Sequence, residues 1–201
     1  MNLPNKISLA RILLIPVFVA VFFLDGILPF AFGYAAIIFA IAAMTDFVDG
    51  KIARSRGLVT NLGKFLDPIA DKVLVSTAML VLLTMKDSLF GLLGDACEGI
   101  YVATTICTCI IMARELIISA FRQIAAASGI IMAAEKLGKY KTAAQDTCLF
   151  VILLSASLTG TVGVVVLWIG LVFFALATIL TIVSGFSYVL KNKTVLADTE
   201  K

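Results

Sequence analysis

Four aspartates lie within a short stretch of this chain, Asp46 and Asp49 in DFVDGKIAR and Asp67 and Asp71 in GKFLDPIAD. Members of the first pair are three residues apart and those of the second four. On helices each pair therefore shares one face, with about 5 to 6 Å between its members. Two such helices lying antiparallel would bring the carboxylates together. Clustered carboxylates repel one another and take up protons unless cations sit between them. Oxygen donors alone, with no imidazole or thiolate beside them, suit the hard cations Mg²⁺ or Mn²⁺. Two cations held in this way leave coordination positions for the oxygens of a phosphate or diphosphate. Gly50, next to Asp49, lets such a ligand approach the backbone, and Arg54, one turn farther on, is spaced to fork onto a phosphate oxygen. The sequence contains no histidine, which leaves a carboxylate as the general base for any proton transfer at the cluster.

The elements that must position these acids belong in a bilayer. Of the 201 residues 61% are hydrophobic and 14% charged, and the mean hydropathy is +1.09, values incompatible with a solvated globular surface. A spanning helix needs roughly 20 mostly apolar residues, and the sequence supplies six such segments, expected near residues 7–25, 31–51, 62–85, 99–127, 141–158 and 162–190. Thr147 to Leu190 is free of charge, too long for one span and suited to a helical hairpin that turns near SASLTGTVG. The expected fold is all-α, a single polytopic membrane domain over residues 1–201.

Basic residues gather at alternate ends of the spans. Lys6 and Arg11 precede the first, Lys51, Arg54, Arg56 and Lys64 separate the second and third, Lys136, Lys139 and Lys141 separate the fourth and fifth, and Lys191, Lys193 and Lys201 follow the sixth. The opposite ends hold Lys86 among Asp25, Asp87, Asp95 and Glu98. Both termini and the acidic cluster are therefore expected on the cytoplasmic side of the cell membrane, where a basic face meets anionic lipid. The N-terminal segment lacks the cationic cluster and small-residue cleavage pattern of a signal peptide. Cys97, Cys107, Cys109 and Cys148 form no zinc or redox pattern, and the Phe-rich stripes, Trp168 and Tyr188 read as lipid-facing or interfacial packing. No nucleic-acid partner is expected.

The string Asp46-x-x-Asp49-Gly50-x-x-Ala53-Arg54, then eight residues, then Gly63-x-x-x-Asp67-x-x-x-Asp71, resembles in full the signature of the CDP-alcohol phosphatidyltransferases. That resemblance implies a six-helix fold with a polar cavity open to the cytoplasm, two Mg²⁺ ions (or Mn²⁺) on Asp46, Asp49, Asp67 and Asp71, and CDP-diacylglycerol bound through its diphosphate. By the same resemblance Asp71 is the base that deprotonates the acceptor hydroxyl. Gly50, Ala53 and Arg54 match the part of the motif that contacts the nucleotide. Thr60, Asn5 and Ser8 match looser positions near the donor, with Ser8 where threonine is more usual. The family is commonly dimeric, so a homodimer is implied.

Beyond the signature, LPNKISLAR, TNLGKFLDPIADK, MARELI and GKYKTAAQ resemble the branch of the family whose acceptor is glycerol 3-phosphate. That acceptor carries a phosphate of its own. Arg114 and Arg122, two turns apart on the fourth span, would bind it together with Lys139 and Lys141, with Thr142, Gln145 and Asp146 as secondary candidates. Glu115 would pair with Arg122 or with another helix. Two other readings compete: a relative with a different acceptor, such as a cardiolipin synthase, and a cation transporter or channel lined by intramembrane acids. Against transport, the aspartates lie at one membrane face instead of along its depth, and the chain shows no inverted repeat.

Overall fold

The computed structural model describes residues 3–56, 61–127 and 136–192, with backbone alone for 3–4, 46–56, 61–65, 67–68, 126–127 and 136. Six long helices and a short 3₁₀ helix make up these residues. They are α1 (Leu3–Phe22), α2 (Ala31–Arg56), α3 (Asn61–Leu83), the 3₁₀ turn Phe90–Ala96, α4 (Cys97–Ala127), α5 (Lys136–Ser155) and α6 (Gly160–Lys191). The all-α fold expected from hydropathy is present. Its helices begin and end within a few residues of the expected spans, except that α2 runs on to Arg56 and α5 starts at Lys136.

Two helices begin earlier than charge counting suggests. Arg11 does not precede the first helix but lies inside α1, fully buried. Lys139 and Lys141 lie on the first turns of α5 and not in a loop. Glu98 stands in the first turn of α4, where acid favours a helix N-terminus. It pairs with Lys86 at 2.8 Å, and this hydrogen bond is the main reason the exposed Lys86 ammonium holds its proton above the ordinary lysine range.

Among the described residues, α1, the run Phe90–Ala125 and α6 are each long and apolar enough to cross a membrane, and Ala31–Thr45 forms a shorter apolar stretch. The helices that fall short, α3 and α5, do so because their first halves carry Lys64, Asp67, Asp71 and Lys72, or Lys136, Lys139, Lys141 and Asp146. In a bundle with short connections consecutive helices run antiparallel. The charged half of α3, the end of α4, the start of α5 and the end of α6 therefore share one end of the molecule.

Packing closes the bundle around that end. α1 lies on α2 and α3, α5 lies on α2 and α6, α6 lies on α4, and α3 contacts both α4 and α5. The interior is built from Phe18, Phe39, Leu74, Met79, Ile111, Leu149, Ile152 and Phe174, all essentially inaccessible. This corrects the lipid-facing reading of the phenylalanines: Phe18 meets Phe39 at 6.1 Å between ring centroids, while Phe186 and Phe23 stay on the outside. Inside a bilayer such contacts stabilise by close packing more than by escape from water. The closest approach is between α5 and α6. A Cβ on Gly170 would lie 2.5 Å from Ile152 Cγ1 and 3.2 Å from the Ile152 nitrogen, so only glycine allows the two backbones to meet there.

Candidate active site

The acid-bearing turns are both helical. Asp46, Asp49, Gly50, Ala53 and Arg54 fall on the second half of α2, and Asp67 and Asp71 on the first half of α3, which packs on α2. The backbone thus presents two helical pairs of aspartates on adjacent helices, the arrangement the spacing predicts. The side chains of Asp46, Asp49, Gly50, Ala53, Arg54 and Asp67 lie outside the described residues, as does Thr60 altogether. Asn5 and Ser8 are buried on α1. They share a face with Arg11, whose Nε donates to Thr45 Oγ1 at 3.2 Å, one residue before Asp46.

Asp71 lines a small, open cavity of about 30 Å³ between α3, α4 and α5. Its charged lining is Asp71 and Lys72 from α3, Glu115 from α4 and Lys141 from α5, with Ser76, Thr142 and Gln145 as the neutral polar groups and Met79, Ile111 and Met112 among its apolar walls. Lys141 is only 4% exposed and donates to Glu115 Oε1. Burial of an ammonium at this depth is tolerated because a carboxylate faces it. Lys72 donates to Ser119 Oγ, which itself donates to the Glu115 carbonyl at 2.5 Å. The Gln145 amide nitrogen approaches Met79 Sδ at 4.0 Å, a weak contact.

Of the four basic residues expected around an acceptor phosphate, the structure brings Lys141 alone into this cavity. Arg114 turns toward α6: its Nη2 donates to Ser184 Oγ at 3.0 Å and its Nη1 to Glu115 Oε1 at 3.1 Å. Gly185 makes room for it, since a Cβ there would stand 3.1 Å from Arg114 Cγ. Arg122 is exposed, 5.1 Å above the Tyr188 ring, with its Nε donating to the phenol oxygen at 3.1 Å. Tyr188, expected at a lipid interface, is instead buried against Phe121. Lys139 is exposed on α5. Glu115 pairs with another helix, through Lys141, and with its neighbour Arg114.

Lys72, Ser76 and Glu115 entered the cavity without having been singled out as site residues. Lys72 carried a signal, since it directly follows Asp71 and stands four residues before Ser76. Ser184 was hidden in the charge-free stretch from Thr147 to Leu190, although Thr178, Thr181 and Ser184 recur at threes along it. A second, apolar groove between the opposite halves of α4 and α6, bordered by Cys107, Trp168 and Val172, has no charged group.

Over residues 1–191 the chain matches the sequence model of the CDP-alcohol phosphatidyltransferases. It belongs to that family. It is 38% identical to the CDP-diacylglycerol--glycerol-3-phosphate 3-phosphatidyltransferase of Bacillus subtilis (strain 168), with 95% of each chain covered. Proteins of the same name from Rickettsia typhi and Shigella flexneri serotype 5b are 36% and 37% identical to it. The first match covers 96% of this chain and 98% of the relative, the second 98% of both. As a CDP-alcohol phosphatidyltransferase, the chain carries the family signature on two packed helices, and its last aspartate lines a charged cavity.

Proposed function

We propose that this membrane protein transfers the phosphatidyl group of CDP-diacylglycerol to glycerol 3-phosphate, giving phosphatidylglycerophosphate and CMP. The observation that carries the reading is the cavity in which Asp71, at the end of the signature, faces the buried Lys141. One wall offers a base and the other a cation for an acceptor's phosphate. Near-complete coverage by relatives that bear this activity in their names supports the same acceptor.

The donor set on α2 and α3 fits a pair of hard cations. It consists of oxygen ligands alone, at i,i+3 and i,i+4 on helices in contact. Asp46, Asp49, Asp67 and Asp71 would hold them, Mg²⁺ by preference and Mn²⁺ as the alternative. Bound there, such ions neutralise the diphosphate and stabilise charge on the transferring phosphoryl oxygens. Gly50, Ala53 and Arg54, with Thr60, Asn5 and Ser8, receive the donor. Asp71 takes the proton from an acceptor hydroxyl as that oxygen attacks the β-phosphorus. The bond from that phosphorus to the CMP oxygen breaks, and CMP leaves with the electron pair. Lys141, helped by Lys72, binds the acceptor's phosphate, with Arg114 bracing the cluster and Arg122 and Lys139 on the approach. The cytoplasmic side of the cell membrane, which supplies the soluble glycerol 3-phosphate, is the side assigned to the site and to both termini, as the basic ends of the helices favour.

The test is CMP release by the purified protein with CDP-diacylglycerol, Mg²⁺ and each acceptor in turn. CMP is expected with glycerol 3-phosphate, and Asp71→Asn is expected to lower turnover by about 10²-fold or more. Release with phosphatidylglycerol instead would move the chain to the cardiolipin-forming reaction. Folded protein that releases no CMP with any acceptor would overturn the enzymatic reading and turn attention to cation flux.

A further inference from the structure

The cavity contains a contradiction. A site for a phosphate monoester should offer uncommitted cations, yet Lys141 already holds a carboxylate, the half-buried Glu115. The same oxygen, Glu115 Oε1, also accepts from Arg114 Nη1 at 3.1 Å. Arg114 is fixed from behind by Ser184 and fitted against Gly185. One carboxylate oxygen thus bridges a cation of the cavity wall and a cation anchored on α6.

From this geometry, and resting on the acceptor-site reading above, we infer that Glu115 is a specificity-determining residue. Its carboxylate occupies Lys141 until an acceptor phosphate displaces it, and it thereby selects for doubly charged acceptors. The charges facing the cavity are Asp71 and Lys72 on α3, Glu115 on α4 and Lys141 on α5, balanced as two acids and two bases. An incoming anion must outbid a carboxylate for Lys141. A phosphate monoester dianion does so with two charges and three oxygens, while the single charge of a phosphodiester is no stronger than the carboxylate it would replace. A neutral alcohol has nothing to offer. When displaced, Glu115 keeps Arg114 as its partner, so it is not left as an unpaired buried charge, the outcome that makes breaking such pairs costly. Arg114 therefore serves the acceptor site at second hand, by receiving the carboxylate that leaves.

Displacement can be read without turnover. Binding of inorganic phosphate and of dimethyl phosphate, a monoanionic diester, is measured by thermal protection of the full-length protein in detergent, for the wild type, Glu115→Gln and Lys141→Met. The wild type should prefer phosphate strongly, and Lys141→Met should lose the protection. Glu115→Gln should bind phosphate about tenfold more tightly, and its preference for phosphate over the diester should narrow. If Glu115→Gln does not fold, Glu115→Asp, whose carboxylate is withdrawn by one methylene, should show the same tightening to a smaller degree. Phosphate protection that needs Lys141 but is unchanged or weaker in the folded Glu115 variant overturns the inference alone. Protection that does not depend on Lys141 overturns the acceptor-site reading, and the inference with it.

Discussion

Lys141 and Arg114 contact the same oxygen of Glu115, yet they should fail differently when replaced. Lys141 lines the cavity and Arg114 does not. Lys141→Met should raise KM for glycerol 3-phosphate by roughly 10- to 100-fold, the weight of a lost hydrogen bond to a charged group, with a smaller effect on kcat. Arg114→Met removes the anchor on α6 while Glu115 keeps Lys141, and should cost about 1.5–3 kcal/mol of stability, the weight of a lost hydrogen bond to a charged group, visible as a lower midpoint of thermal unfolding in detergent at saturating substrate. Equal changes in KM for both variants would contradict this division. The aspartate pairs and Lys141 were legible in the sequence because charge inside an apolar run is conspicuous and helical spacing converts directly into a shared face. Glu115 was visible but its partner was not: a pairing between helices depends on which faces meet, and neither hydropathy nor a motif states that. Arg114 and Arg122 illustrate the same limit. Their spacing on α4 is compatible with one target, but one side chain finds Ser184 and the other Tyr188.

At the scale of the helices, the site depends on how close α5 comes to α6, because α5 carries Lys141 and α6 holds Arg114 through Ser184. Gly170 sets that approach at the far end of the same pair. Gly170→Ala is expected to push α6 outward and to cost about 1–3 kcal/mol, measured by thermal unfolding, with KM for the acceptor rising as Lys141 and Arg114 are drawn apart. Unaltered stability would mean that Ile152 yields without moving the backbone. The helices themselves were readable from length and apolarity, and the turn between α5 and α6, at Ala156 to Thr159, falls where SASLTGTVG suggested. The place of Arg11 and the start of α5 depart from the charge pattern for a physical reason. Counting by charge makes lysines and arginines markers of loops, whereas the early turns of these helices accommodate them, exposed at Lys139 and buried at Arg11 and Lys141.

The molecule as a whole is polarised, with its charged cavity at one end and an apolar groove toward the other. In the orientation proposed above, a single cysteine introduced at Asp87, in a variant without the native cysteines, should react with a membrane-impermeant reagent applied to intact cells. One introduced at Lys139 should react only after the cells are opened. The reverse pattern would invert the topology. Arg11 bears on how such a molecule comes to be assembled. Its Nε is bonded to Thr45, 34 residues farther along the chain, so during synthesis the arginine reaches the bilayer before that partner has left the ribosome. At mid-membrane, an arginine on a lone helix costs about 3 kcal/mol on insertion scales, a cost that holding the guanidinium near the headgroups lowers. The depth at which the first helix rests is therefore coupled to the second, which brings Thr45 to the buried guanidinium.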